Sequence, residues 1–126
     1  MTDKTIMPMS SVISDDESFL ATSSPTLSHV AQALSALGHE ARLSVFRLLV
    51  VNGEGGLNVG EITDHLDIPA STLAHHLRAL VQANLVIQER RGREIVNRPN
   101  YETMQGALGF LTDQCCAGLE LKRSAA

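Results

Sequence analysis

Aromatic side chains are almost missing from this 126-residue chain, which holds no tryptophan, one tyrosine and three phenylalanines. A core must therefore be built from Leu, Val, Ile and Ala, the composition of packed helices. No run approaches the roughly 20 apolar residues of a membrane span, and the N-terminus lacks a basic-then-apolar signal pattern. The expectation is a cytoplasmic protein with no membrane partner. An enzyme is not in view either, because no nucleophile, base and orienting group, no catalytic metal set and no cofactor loop can be assembled. The stretch Asn52-Gly53-Glu54-Gly55-Gly56 has the glycines of a phosphate loop but neither its Lys-Ser/Thr pair nor a preceding strand, so it reads as a flexible connector.

Excess positive charge is also lacking, since the chain carries a net −4. That sum conceals a distribution. Residues 70–100 hold Arg78, Arg90, Arg91, Arg93 and Arg98 against Glu89 and Glu94, a local +3, while residues 1–24, 25–69 and 101–126 are each acidic. Basic charge gathered in one segment of an acidic chain can hold a polyanion only where that segment docks, which keeps non-specific nucleic-acid binding weak.

Length allows one domain with a small core, which dimerisation would enlarge. Residues 1–24, rich in Ser, Thr and Asp without apolar period, are expected to be a disordered tail. Ser24 as a cap with Pro25 in the first turn opens a helix whose stripe is Leu27, Val30, Leu34 and Leu37. A second helix is predicted from about His39 to Val51, with Leu43, Phe46, Leu49 and Val50 inward.

The segment Asn58 to Leu85 is the most informative. Asn58 suits an N-cap, with Glu61 at the third helical position completing a capping box, and Val59, Ile62 and Leu66 form one face. Pro69 fits the first position of the next helix, where its missing N–H costs nothing. That helix turns Leu73, Leu77 and Leu80 to one side with His76 beside them, and Ser71, Ala74, His75, Arg78 and Gln82 to the other. An apolar back and a thin polar front are what a helix entering a major groove needs. Directly afterwards, LVIQERRGREIVNRPN gives two strands around Arg91-Gly92, ended by Pro99. A helix pair followed by a hairpin with an arginine-rich tip is a winged helix-turn-helix. Asn100 can then cap a last helix over residues 101–118, with Met104, Ala107, Leu108, Leu111 and Cys115 on one face. Residues 119–126 read as a flexible tail.

LSALGHEARLSVFRLL and GEITDHLDIPASTLAHHLRALVQANLVIQERRGREIVNRPN together resemble the ArsR/SmtB family of metal- and metalloid-responsive repressors. The most specific part is the Ser/Thr-x-x-x-His-His-Leu-x-x-Leu core carried by Ser71 or Thr72, His75, His76, Leu77 and Leu80. The resemblance implies a mainly α fold with a small β-hairpin, a homodimer built on the first and last helices, and binding to double-stranded DNA at a palindromic operator. Ser71, Thr72, His75 and Arg78 would face the groove, with Arg90, Arg91 and Arg93 on the wing. Many members have Asp-Pro where this chain has His39-Glu40, and some carry Cys-x-Cys where it has Asn58 and Gly60.

Cys115 and Cys116 are the only thiols. Adjacent α-carbons are about 3.8 Å apart, below the roughly 4.4 Å a disulfide usually needs, so a bond between them inside a helix would be strained, and peroxide is expected to link chains instead of closing a bond within one. Two thiolates near a helix end can instead converge on one large soft centre. Zinc wants four ligands, and the last helix offers no His. FLTDQCCAG resembles the segment of arsenite-sensing members, which add a third Cys downstream that is absent between Ala117 and Ala126. The implied inducer is trivalent arsenic or antimony, with the third position filled by a thiol of the other protomer, a small thiol or the methyl group of a methylated arsenical; no cofactor is obligatory. Two rival readings stand beside it: a thiol redox or electrophile sensor of the same fold, and a winged-helix module whose arginines bind an acidic protein.

Overall fold

The computed structural model describes residues 25–119, so the expected tail at 1–24 and most of that at 119–126 lie outside the described residues. In chain order the elements are α1 (Leu27–Leu37), α2 (Glu40–Asn52), α3 (Val59–Leu66), α4 (Ala70–Gln82), β1 (Val86–Arg91), β2 (Glu94–Pro99) and α5 (Tyr101–Thr112). This is the winged helix-turn-helix that the sequence implies.

Helix α1 is capped by Thr26, whose hydroxyl accepts the His29 N–H at 3.1 Å. The cap is therefore not Ser24, and Pro25 precedes the helix instead of standing in its first turn. The buried face of α1 is Val30, Ala33 and Ala36, while Leu27 is 71% and Leu34 39% exposed. Alanines on the inner face let α1 lie close against its neighbours, which moves the two predicted leucines onto its flank. Helix α2 starts one residue later than expected, with His39 as N-cap and its Nδ1 accepting the Ala41 N–H. Val45, Phe46 and Leu49 are buried, whereas Leu43 is 44% exposed. At 3.6 residues per turn Leu43 falls about 60° beyond Phe46 on the side away from Leu49 and Val45, so Val45 takes the inward place predicted for it.

The connector after α2 is tied down, contrary to the expectation of a flexible loop. Asn52 Nδ2 donates to the Gly56 carbonyl at 3.1 Å, and Leu57 pairs with Asn97 of β2 through two backbone bonds of 2.9 and 2.8 Å. Gly56 has φ +78, and a Cβ there would collide with Val96 Cγ1 and the Asn97 carbonyl. Only glycine fits this approach.

Asn58 caps α3 in a complete capping box with Glu61. Asp67, in the left-handed region at φ 55, then reverses the chain, a conformation that Asp tolerates better than most residues. Pro69 is the N-cap of α4 and not its first helical residue: its ψ of 144 is extended, and its carbonyl accepts the Leu73 N–H at 2.9 Å. Leu73, Leu77 and Leu80 join Val45, Leu49, Ile62 and Leu85 in one core. The hairpin pairs Val86 with Pro99 through to Arg91 with Glu94. Its two-residue turn is Gly92-Arg93, with Gly92 at φ +65, which suits the primed turns that match strand twist.

Asn100 caps α5 as expected, but the helix ends at Thr112, six residues short of the predicted end. Of its predicted inner face only Ala107 is buried; Leu108 and Leu111 are more than half exposed. Glycines at 106 and 109 lower helix propensity, and from Asp113 to Leu119 every side chain is exposed, so none offsets that cost. Gln114 and Cys116 take left-handed φ of 61 and 65, so the cysteines stand in a turn and not on a helical face.

Candidate nucleic-acid interface

The outward side of α4 presents Ser71, Thr72, Ala74, His75, Arg78 and Gln82, all exposed. Because Pro69 supplies no side-chain cap, the first-turn N–H groups of α4 stand beside the hydroxyls of Ser71 and Thr72. Free N–H groups at a helix start favour phosphate oxygens. His75 is outward, while His76, 6% exposed, is part of the support behind it.

The seat of His76 was not legible in sequence. Its ring lies 5.0 Å from that of His39 and 5.7 Å from that of His75, centroid to centroid, and its Nδ1 is buried with no hydrogen-bond partner. Burial pushes its ionisation below the ordinary imidazole range, and the positive neighbours His39, His75 and Arg42 push it the same way. Burial and the neighbouring positive charge both favour the neutral ring.

The three predicted wing arginines differ in their setting. Arg91 donates one Nη to the Gly55 carbonyl at 3.1 Å and the other to Glu89 Oε1 at 3.1 Å. Arg98 Nε reaches the same carboxylate oxygen at 3.3 Å. Hydrogen bonds from Arg91 first and Arg98 second hold the Glu89 carboxyl below its usual range. Arg90 and Arg93 are exposed and make no side-chain hydrogen bond or ion pair among the described residues, so their charges stand free at the wing tip.

Further bonds fix the wing against the helix pair. Asn58 Nδ2 donates to Glu94 Oε1 at 2.6 Å. Buried Asn97 donates its Nδ2 to the Leu57 carbonyl at 3.1 Å and accepts from Gln88 Nε2 at 2.8 Å. Asn97 and Glu89 were missed as positioning residues, because their partners are distant in sequence or depend on strand register. The recognition helix and wing thus form one surface with a set relative orientation.

The cysteine pair stands in the turn that follows α5. Cys115 and Cys116 are free and exposed, with their Sγ atoms 3.1 Å apart. The Cys115 N–H bonds the Thr112 carbonyl at 2.9 Å. Its thiol is pushed up in pKa by the hydrogen bond with Cys116 first and by desolvation second. Among the described residues no group of three or more His, Cys, Asp or Glu side chains could hold a metal ion, and no helix is long and apolar enough to cross a membrane.

A helix-turn-helix domain family matches residues 37–89. The ArsR protein of Halobacterium salinarum, named for an arsenical resistance operon, is 36% identical over 73 residues, 58% of this chain; the match spans little more than half, 56%, of that protein. The uncharacterized HTH-type transcriptional regulator YceK of Bacillus subtilis is 33% identical over 82 residues, 64% of this chain and 81% of YceK. The homodimeric winged helix-turn-helix DNA-binding domain Mb0332 of Mycobacterium bovis, known as a solution structure, superposes with a TM-score of 0.56 at 27% identity, over 86% of this chain and 90% of that one.

Proposed function

This chain belongs to the ArsR/SmtB family of winged-helix transcriptional regulators, and from that premise we propose that it is a homodimeric repressor released from a palindromic operator by a trivalent arsenical. The observation that carries the DNA half is the joint surface of α4 and the wing. Ser71, Thr72, His75 and Arg78 point outward beside the free charges of Arg90 and Arg93, on a chain that is otherwise acidic. Groove-facing side chains supply sequence choice, and wing cations supply affinity through phosphates.

The dimer half rests on exposed apolar side chains: Leu27 and Leu34 of α1, and Leu108, Phe110 and Leu111 of α5. Each such residue gains about 1.5–3 kcal/mol on full burial, and the two helices that carry them pack beside one another. The Mycobacterium bovis domain of like fold is homodimeric, which supports a dimer here. Two recognition helices so joined must match major grooves about 34 Å apart, and a ligand that changes their spacing needs a coupling of only about 1–3 kcal/mol to change affinity up to a hundredfold.

For the inducer, two exposed sulfurs 3.1 Å apart can share one large thiophilic atom. Each thiol would give its proton to a departing hydroxide of the arsenical, which leaves as water while an arsenic–sulfur bond forms. With two thiols in this chain, a methylated trivalent arsenical completes its three bonds through its own carbon. It should therefore act at least as well as arsenite. A mobility-shift titration on the DNA upstream of the chain's own coding sequence, with and without each arsenical, tests this. Release that persists after Cys115→Ser and Cys116→Ser together would place sensing elsewhere and leave the DNA-binding reading intact.

A further inference from the structure

The turn after α5 changes what the two thiols can do. Neighbouring side chains in a helix diverge by about 100°, which keeps adjacent sulfurs apart. Here left-handed φ values at Gln114 and Cys116 bring both sulfurs to one side of the chain, 3.1 Å apart, with each side chain open to solvent. We propose that Cys115 and Cys116 close a disulfide with each other, within one chain, on reaction with a hydroperoxide.

The chemistry balances with that oxidant alone. A thiolate attacks one peroxide oxygen, the O–O bond breaks, and the other oxygen leaves with a proton as water or alcohol. The attacking cysteine becomes a sulfenic acid. The neighbouring sulfur then displaces hydroxide from it, the S–S bond forms, and the hydroxide leaves as water with the second thiol's proton. Two thiols are oxidised and one hydroperoxide is reduced. Either cysteine can be the first nucleophile, with its neighbour 3.1 Å away as the resolving thiol.

The bond is suited to a reversible role. Adjacent α-carbons, about 3.8 Å apart, are closer than the roughly 4.4–6.8 Å of ordinary disulfides, and strain makes a disulfide easier to reduce. A segment whose side chains are all exposed from Asp113 to Leu119 can rearrange to close the ring without disturbing a core. Once closed, the ring leaves no thiolate for an arsenical; that consequence rests on the function proposed above, while the disulfide itself does not.

The test is a non-reducing peptide mass map of the full chain after hydrogen peroxide, with alkylation of the remaining thiols. Alkylatable thiols should fall from two per chain to none, and the peptide carrying both cysteines should be lighter by two hydrogens. The chain should still run as a monomer on a non-reducing gel, and dithiothreitol should restore both thiols. In Cys115→Ser, Cys116 should stop at a sulfenic acid trapped by dimedone, an adduct the unmutated chain lacks. A chain-to-chain disulfide as main product, two thiols still alkylatable, or an equal dimedone adduct on the unmutated chain would each overturn the proposal. Arsenical response is read separately on reduced protein, so its absence would end the arsenical reading without altering the mass result.

Discussion

The surface of α4 and the wing, and the cysteine turn, are held in opposite ways. From Asn58 to Arg98 the polar side chains that fix position are bonded: Asn58 to Glu61 and Glu94, Asn97 to Leu57 and Gln88, Glu89 to Arg91 and Arg98. Behind them lie fully buried Leu49, Ile62, Leu73, Leu80 and Leu85. From Asp113 to Leu119 every side chain is exposed, and the bonds are two turn contacts of the backbone and the thiol pair. A surface that must match a rigid duplex needs its groups set before contact, since ordering them on binding weakens it. A pair of thiols that wraps a small ligand, or each other, gains from a backbone free to adjust.

The largest expected effect separates the two regions by stability. Leu77→Ala removes a side chain 2% exposed in the core and should cost about 2–5 kcal/mol in urea unfolding. Replacing both cysteines by Ser should stay within about 0.5 kcal/mol, as surface changes do. Comparable losses in both variants would mean that the cysteine turn is packed in solution and that the contrast is wrong.

The same contrast separates what the sequence told from what it withheld. The capping box at Asn58, the leucine face of α4, the hairpin and its Pro99 end were legible because each is a local pattern with one geometric solution. Heptad spacing showed the Leu27 and Leu34 face but not whether it meets the chain's own core or a second protomer, and the inward choice failed because Ala33 and Ala36 give little hydrophobic signal while fitting a close contact. Leu43 failed in the same way, since Val45 and Leu49 set the buried arc of α2. The end of α5 was misread because apolar residues continue past Thr112, whereas the packing that would sustain a helix does not. On the candidate surface, the outward residues of α4 followed from helical period alone, but the bonds of Arg91 to Gly55 and of Asn97 to Leu57 link segments some 40 or fewer positions apart and needed the fold.

A smaller effect should appear in specificity. His75→Ala removes an exposed groove-facing ring and leaves the core alone, so thermal stability should hold. The operator-to-random affinity ratio should fall by an amount corresponding to about 1–3 kcal/mol, the discrimination of one good base contact. Equal losses on both DNAs would assign His75 to the backbone.

His76 gives the surface a sensitivity to acid pH. It faces His39 and Arg42 from α2 and His75 from its own helix, all capable of positive charge, and no carboxylate is among the groups acting on it. Its native pKa is lowered, so the native state binds fewer protons than the unfolded chain. The stability it contributes is complete above the ordinary value of about 6.5 and is lost as pH falls through the lower native value. The urea midpoint should drop between pH 7.5 and 5, and by less in His76→Gln, which cannot titrate. Parallel curves for the two proteins would show that other groups carry the acid sensitivity.

The finest distinction lies within the wing. Arg90 and Arg93 make no side-chain bond among the described residues, so Arg90→Ala and Arg93→Ala should each flatten the salt dependence of DNA affinity by about one phosphate contact per wing, without sequence preference. Arg91→Ala removes the same charge and, in addition, the bonds to Gly55 and Glu89. Its loss should therefore have two parts: a slope change like the others, and a remainder that persists at high salt, where phosphate attraction is weak. That remainder reflects a wing less firmly held to the α2–α3 connector, with an exposed hydrogen bond setting its scale at about 0.5–1.5 kcal/mol. Glu89→Gln, which weakens the grip on Arg91 and Arg98 while leaving every wing cation in place, should reproduce the remainder without the slope change. If Arg91→Ala and Arg93→Ala coincide at every salt concentration, the bonds of Arg91 do not position the wing, and all three arginines act as interchangeable charges.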